Sequence, residues 1–136
     1  MTALFHAHSG LRYLVLLAAF AALVALAYGL ATNRTTRATR VLPAIFTGLL
    51  DLQILLGAVL LMSGRFPDAV VGHLVMMVLA AVVAHGSSII ARRSADDRRE
   101  LMIRLGGVVL SIVLIAGGIM AIGRGVFGTS PSTMLN

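Results

Sequence analysis

The side chains able to do chemistry in this sequence are few. His6, His8 and Arg12 lie in the opening stretch HAHSGLRY. Asp51, with Thr47 and Gln53, lies in a second apolar run, and His73 and His85 lie in a third. An ionisable group inside a bilayer is expensive, so each of these is a functional hypothesis by default. Neutral imidazoles on two different helices at one depth are the usual axial ligand set of a low-spin b-type haem. His8 at the mouth of the first apolar run and His73 near the start of the third meet that condition. His6 is the alternative ligand on the first run.

Neighbouring residues fit the same reading. Gly10 and Gly72 would leave a slim surface beside a macrocycle. Arg12 follows His8 by a helical i,i+4 step, on the same face, where it would meet a propionate at the water boundary. Met76 and Met77 would pack on the ring. Plainer readings stand beside these. A histidine at a helix mouth is often solvated, glycines near helix ends often serve packing, and a methionine pair in an apolar helix is usually core or lipid-facing. A non-haem metal or a helix–helix hydrogen bond would also use His8 and His73.

Asp51 and His85 form a deeper level, about 14 Å and about 9 Å from the inner ends of their helices. A hydrogen-bonded Asp51–His85 pair would be structural glue or part of a proton path. Local bonding to Thr47, Ser87 or Ser88 is the alternative. Twelve residues separate His73 from His85, which turns them about 120° apart, a poor spacing for two haems stacked on one face.

The elements that must hold these residues are transmembrane helices. The chain has 136 residues, 59% of them hydrophobic and 12% charged, and its mean hydropathy is +0.99. A soluble domain is far more polar, so this is an integral membrane protein of one domain, residues 1–136. Apolar runs predict four spans, at about 11–31, 42–62, 69–91 and 101–122, each near the ~20 residues that cross a bilayer. Pro43 then falls in a first turn, where it is tolerated. Gly64 and Pro67 break the chain between the second and third spans. The first run is too long for a secretory signal and lacks a basic n-region, so it is read as a retained span.

All the basic residues are Arg. Arg34, Arg37, Arg40, Arg92, Arg93, Arg98, Arg99 and Arg104 gather in the first and third connections, against Arg12, Arg65 and Arg124 on the opposite side. The positive-inside rule places those two connections in the cytoplasm and both termini on the outer, periplasmic side of a bacterial inner membrane. Short connections predict an antiparallel up-down bundle. The net charge of +6 therefore reports membrane orientation, not a nucleic-acid partner. Cys is absent, which excludes disulfides and thiolate metal sites. Asn33-Arg34-Thr35 matches a glycosylation sequon but lies on the inner side. ADDRRE reads as a solvated loop that pairs its own charges. Gly106-Gly107, Gly117-Gly118 and an Ala-rich first span read as close helix contacts.

Two stretches carry a resemblance. His6-Ala7-His8-Ser9-Gly10-Leu11-Arg12-Tyr13 and His73-Leu74-Val75-Met76-Met77 resemble the H-x-H-S-x-L-R-[WY] and H-[PL]-x-M-M stretches of short bacterial four-helix membrane proteins of the cytochrome b-like type. The resemblance implies haem b held at His8 and His73, with His6 a second candidate. It also implies a departure, because relatives often carry a His before the L-Q of the second span, where this chain has Asp51. Three functions follow as expectations. The first is a b-type haem protein, or haem-bearing subunit of a larger respiratory or photosynthetic complex, passing electrons between a quinol and an outer-side acceptor. The second is a haem-free accessory subunit that packs by its Gly and Ala faces against a larger membrane assembly, its histidines incidental or binding lipid and quinone; on any of these readings a larger membrane complex or a homo-oligomer is the expected protein partner. The third is a small proton-conducting or transport protein using Asp51 and His85.

Overall fold

The computed structural model of the protein describes residues 2–64 and 69–123. Arg65, Pro67, Arg124 and the polar tail lie outside those residues. The described chain is all-α: α1 (Thr2–Thr32), α2 (Arg37–Met62), α3 (Ala69–Arg92) and α4 (Asp97–Ala121). All four are long and apolar enough to cross a membrane.

α1 starts well ahead of the expected span, so His6 and His8 ride on a continuous helix rather than preceding it. Its other end is a Schellman stop. Asn33 takes the left-handed conformation (φ 50°), and Arg34 N–H returns to the Gly29 carbonyl at 3.0 Å. Asn33 thus has a structural task, and its side-chain oxygen also accepts from Arg98 at 3.0 Å.

α2 opens on a capping box. The Thr36 hydroxyl accepts from Thr39 N–H, and the Thr39 hydroxyl accepts from Thr36 N–H. This cap starts the helix before Leu42, which corrects the reading of Pro43. The proline lies past the first turn, where it withholds the N–H that the Thr39 carbonyl would otherwise receive.

α4 begins at Asp97, capped by the Asp96 carboxylate on Arg99 N–H at 3.1 Å. The reading of ADDRRE as a self-paired solvated loop is therefore corrected. Asp97 accepts from Thr35 N–H at 3.1 Å, across in the α1–α2 connection. Glu100 is buried and takes three charge-assisted bonds. Arg40 binds it through Nε and Nη2, both at 3.0 Å, and Arg104 Nε at 3.0 Å. Arg104, grouped with the loop arginines by sequence, is a buried residue of α4. Acidic residues in a first helical turn also complement the helix dipole.

The helices pair as two hairpins. α1 lies along α2 and α3 along α4; the hairpins join mainly through α1 and α4. α2 and α3 approach sparsely, and the backbones of α1 and α3 nowhere come close, their side chains sharing only the core. Val15, Ala19, Ala22 and Leu26 of α1 meet Phe46, Leu50, Ala80, Ala84, Val108 and Ile115 in the core. The α3–α4 contact depends on small residues, as helix association in lipid generally does. A Cβ on Gly107 would run into the Ser87 side chain, and Ser111 donates to the Ala80 carbonyl at 3.1 Å. Gly107→Ala is expected to lower stability by about 1–3 kcal/mol through overpacking. Unfolding in increasing mole fractions of SDS would read this, and an unchanged midpoint would refute the close approach.

Candidate functional site

At the end of the bundle where α1 and α3 begin and α2 and α4 finish, the helices part around a cavity of about 430 Å³. This falls in the range of small-molecule sites. All four helices contribute to its wall. α1 supplies His8 and Arg12, α2 supplies Gln53 and Gly57, α3 supplies His73 and Met77, and the Ile residues of α4 close it. The cavity fills the space between α1 and α3, whose backbones nowhere come close.

His73 is oriented by α4. Its Nδ1 lies 2.9 Å from the Gly118 carbonyl oxygen. A carbonyl can only accept, so Nδ1 carries the proton and donates it, leaving Nε2 as the lone-pair nitrogen of the neutral ring. A metal-bound histidine is commonly held in this way, its second nitrogen fixed by a backbone carbonyl. Gly118 makes the approach possible. A Cβ there would stand 2.7 Å from Met77 Cε, 3.0 Å from Met76 Cβ and 3.4 Å from His73 Nδ1.

His8 is oriented by α2. Gln53 Nε2 donates to the His8 carbonyl at 2.8 Å, which fixes which end of the amide is NH2. The same nitrogen lies 3.4 Å from His8 Nε2. Facing an N–H donor, His8 Nε2 can accept from it in the tautomer that carries the proton on Nδ1. The contact is at the long limit for a hydrogen bond, so little is lost if another partner replaces it. Gly57 gives the ring room, since a Cβ there would stand 3.1 Å from His8 Cε1.

Two polar atoms of the cavity wall are buried with no hydrogen-bond partner among the described residues, Arg12 Nε and Gln53 Oε1. Buried polar atoms in folded proteins are nearly always satisfied. A donor and an acceptor left open on one wall mark a site for a polar end of a ligand or for water. Arg12 meanwhile donates through Nη2 to the Tyr13 hydroxyl at 2.8 Å and lies over its ring, 4.7 Å from the centroid.

Of the residues singled out by sequence, His8, His73, Arg12 and Met77 thus come together on one cavity. His6 does not; it is exposed, its ring edge-on to Phe5. Gly10 and Gly72, expected to flank a cofactor, are exposed and absent from the cavity wall. The clearance comes from Gly57 and Gly118 instead. Gly57 carried no signal in sequence, and Gly118 read as a helix contact.

Asp51 and His85 do pair. His85 Nε2 lies 3.0 Å from both carboxylate oxygens, joining α2 to α3 below the cavity. Neither residue lines the cavity. Among the described residues, no group of three or more His, Cys, Asp or Glu is placed to hold a bare metal ion.

No protein-family model, curated protein or solved structure matches this chain. Its reading therefore rests on the cavity and its residues.

Proposed function

We propose that the chain is a b-type haem-binding membrane protein, or the haem-bearing subunit of a larger membrane complex, that carries electrons between a quinol and an acceptor on the outer side. One observation carries this reading: two imidazoles from two helices whose backbones nowhere come close line one cavity, His73 oriented through Nδ1 by the Gly118 carbonyl and His8 held beside Gln53. Two imidazoles suit an iron whose remaining positions are filled by a macrocycle. Haem would supply a one-electron redox centre there.

The chain's own residues have distinct tasks in this reading. His8 and His73 would hold the group through their ring nitrogens, the second oriented by the Gly118 carbonyl. Arg12, with its open Nε, meets an anionic propionate at the water boundary. Met77, Leu50, Ile115 and Ile119 exclude water. The resemblance of HAHSGLRY and HLVMM to cytochrome b-like four-helix proteins supports the same assignment. The arginine distribution supports an inner-membrane orientation with both termini outside.

A reduced-minus-oxidised spectrum of protein purified from a haem-replete host tests the proposal. A b-type α-band is expected. Its absence, with the protein folded and free of bound chromophore, would favour the accessory-subunit reading instead.

A further inference from the structure

The Asp51–His85 pair faces away from this chain. Its side chains are 46% and 54% exposed, on helices that are otherwise apolar. Asp51 lies near the middle of α2, about 21 Å from its first residue. His85 is about 10 Å from the end of α3. Neither side chain is long enough to reach the headgroups from such depth, as Lys or Arg would. A lipid-facing carboxylate–imidazole pair in hydrocarbon is costly, and such groups normally face protein or a water-filled cavity. Something other than acyl chains covers it.

The surface around the pair is built for close approach. On α2, Gly48 and Ala44 are exposed about one and two turns from Asp51, in a small-xxx-small step. On α3, Gly86 adjoins His85. A Cβ on Gly48 or Gly86 would meet nothing within 4 Å. This contrasts with Gly29, Gly57, Gly107 and Gly118, whose missing side chains are explained by contacts inside the chain. Gly10, Gly64 and Gly106 are open in the same way, so what marks Gly48 and Gly86 is their place beside the Asp51–His85 pair.

We propose that a second copy of this chain covers the α2–α3 face, in a parallel two-fold dimer centred on Asp51 and His85. Depth selects this occupant. In a parallel two-fold dimer every residue meets its partner surface at its own depth, so a mid-membrane acid–base pair faces another acid–base pair. The contact is isologous and self-complementary. Doubly protonated, as in an ion pair, each His85 donates Nε2–H to its own Asp51 and keeps Nδ1–H, for which no partner occurs among the described residues, to donate to the Asp51 of the other copy. Each Asp51 keeps lone pairs for a donor from the other copy. Any other partner would have to supply matching donor and acceptor groups at that same depth.

The chain's lack of cysteine makes the test clean. Gly48→Cys, oxidised in native membranes, is expected to give a disulfide-linked species of twice the monomer mass as its major product. Phe20→Cys on the exposed face of α1 and Val113→Cys on that of α4 are expected to give at least tenfold less. In lipid nanodiscs or detergent, Asp51→Leu is expected to lower the dimer fraction at least tenfold while circular dichroism keeps its helical content. Asp51→Asn, which retains hydrogen bonding, should keep most of it. Equal cross-linking from all faces, a monomer at every protein-to-lipid ratio, cross-linking only to a different protein, or a dimer indifferent to Asp51→Leu would each overturn the proposal. If Asp51→Leu fails to fold, the Gly48→Cys result decides alone.

Discussion

Replacing His73 with alanine is expected to abolish the b-type α-band of the purified protein, or to convert its spectrum from low-spin to high-spin. The effect is expected to be large because, in the proposed haem binding, His8 and His73 would both hold the group and no other histidine of α3 lies near the cavity; His85 is about 18 Å further along that helix. His8→Ala should do the same from the other side, whereas His6→Ala should leave the spectrum intact, because His6 is outside the cavity. Adding imidazole to His73→Ala should restore a low-spin spectrum if the loss is one of ligation rather than folding. A normal low-spin band in His73→Ala or in His8→Ala would remove that residue from the ligand set. A lost band in His6→Ala alone would reverse the choice between the two imidazoles of HAHSGLRY.

The second large effect concerns stability at the opposite end of the bundle. Glu100 is 5% exposed and so is Arg104, while the Arg40 side chain is 57% exposed. Removing the carboxylate leaves Arg104 buried and charged without a counter-ion, since Arg40 can turn to water and Arg104 cannot. Breaking a buried ion pair from one side typically costs about 3–5 kcal/mol. Glu100→Ala is therefore expected to shift SDS-induced unfolding strongly, Arg40→Ala much less. The double variant Glu100→Leu/Arg104→Leu should recover most of the loss, because it removes both charges together. Equal and small effects of Glu100→Ala and Arg40→Ala would show that Arg104 finds another partner.

The fold class was legible because a bilayer imposes it. Only apolar helices of span length fit this composition, and the polar connections separate them. The ends of the helices were less legible. Thr36 with Thr39, and Asp96 ahead of Arg99, start α2 and α4 earlier than the apolar runs do, since a cap is made of polar residues that hydropathy discards. The level shared by His8 and His73 could be reckoned from helix rise alone, as could the deeper level of Asp51 and His85. Rotation about the axis could not. Gly10 and Gly72 turn outward, while Gly57 and Gly118 turn inward, and nothing local to those glycines distinguishes them. Glu100 was hidden for a different reason. In ADDRRE it stands among charges of both signs, and only the approach of Arg40 from a helix sixty residues away in sequence gives it a buried partner.

The sparse contact between α2 and α3 has a bearing on how the protein is made. Each hairpin closes on itself through residues near in sequence, so each can enter the bilayer as a unit as it leaves the ribosome. The seam between them is the last to be joined and the easiest to part. Under the proposed haem binding, the group would enter sideways through this seam after insertion, without melting either hairpin. Maturation would then be a step separate from membrane integration, open to control by the supply of the group itself.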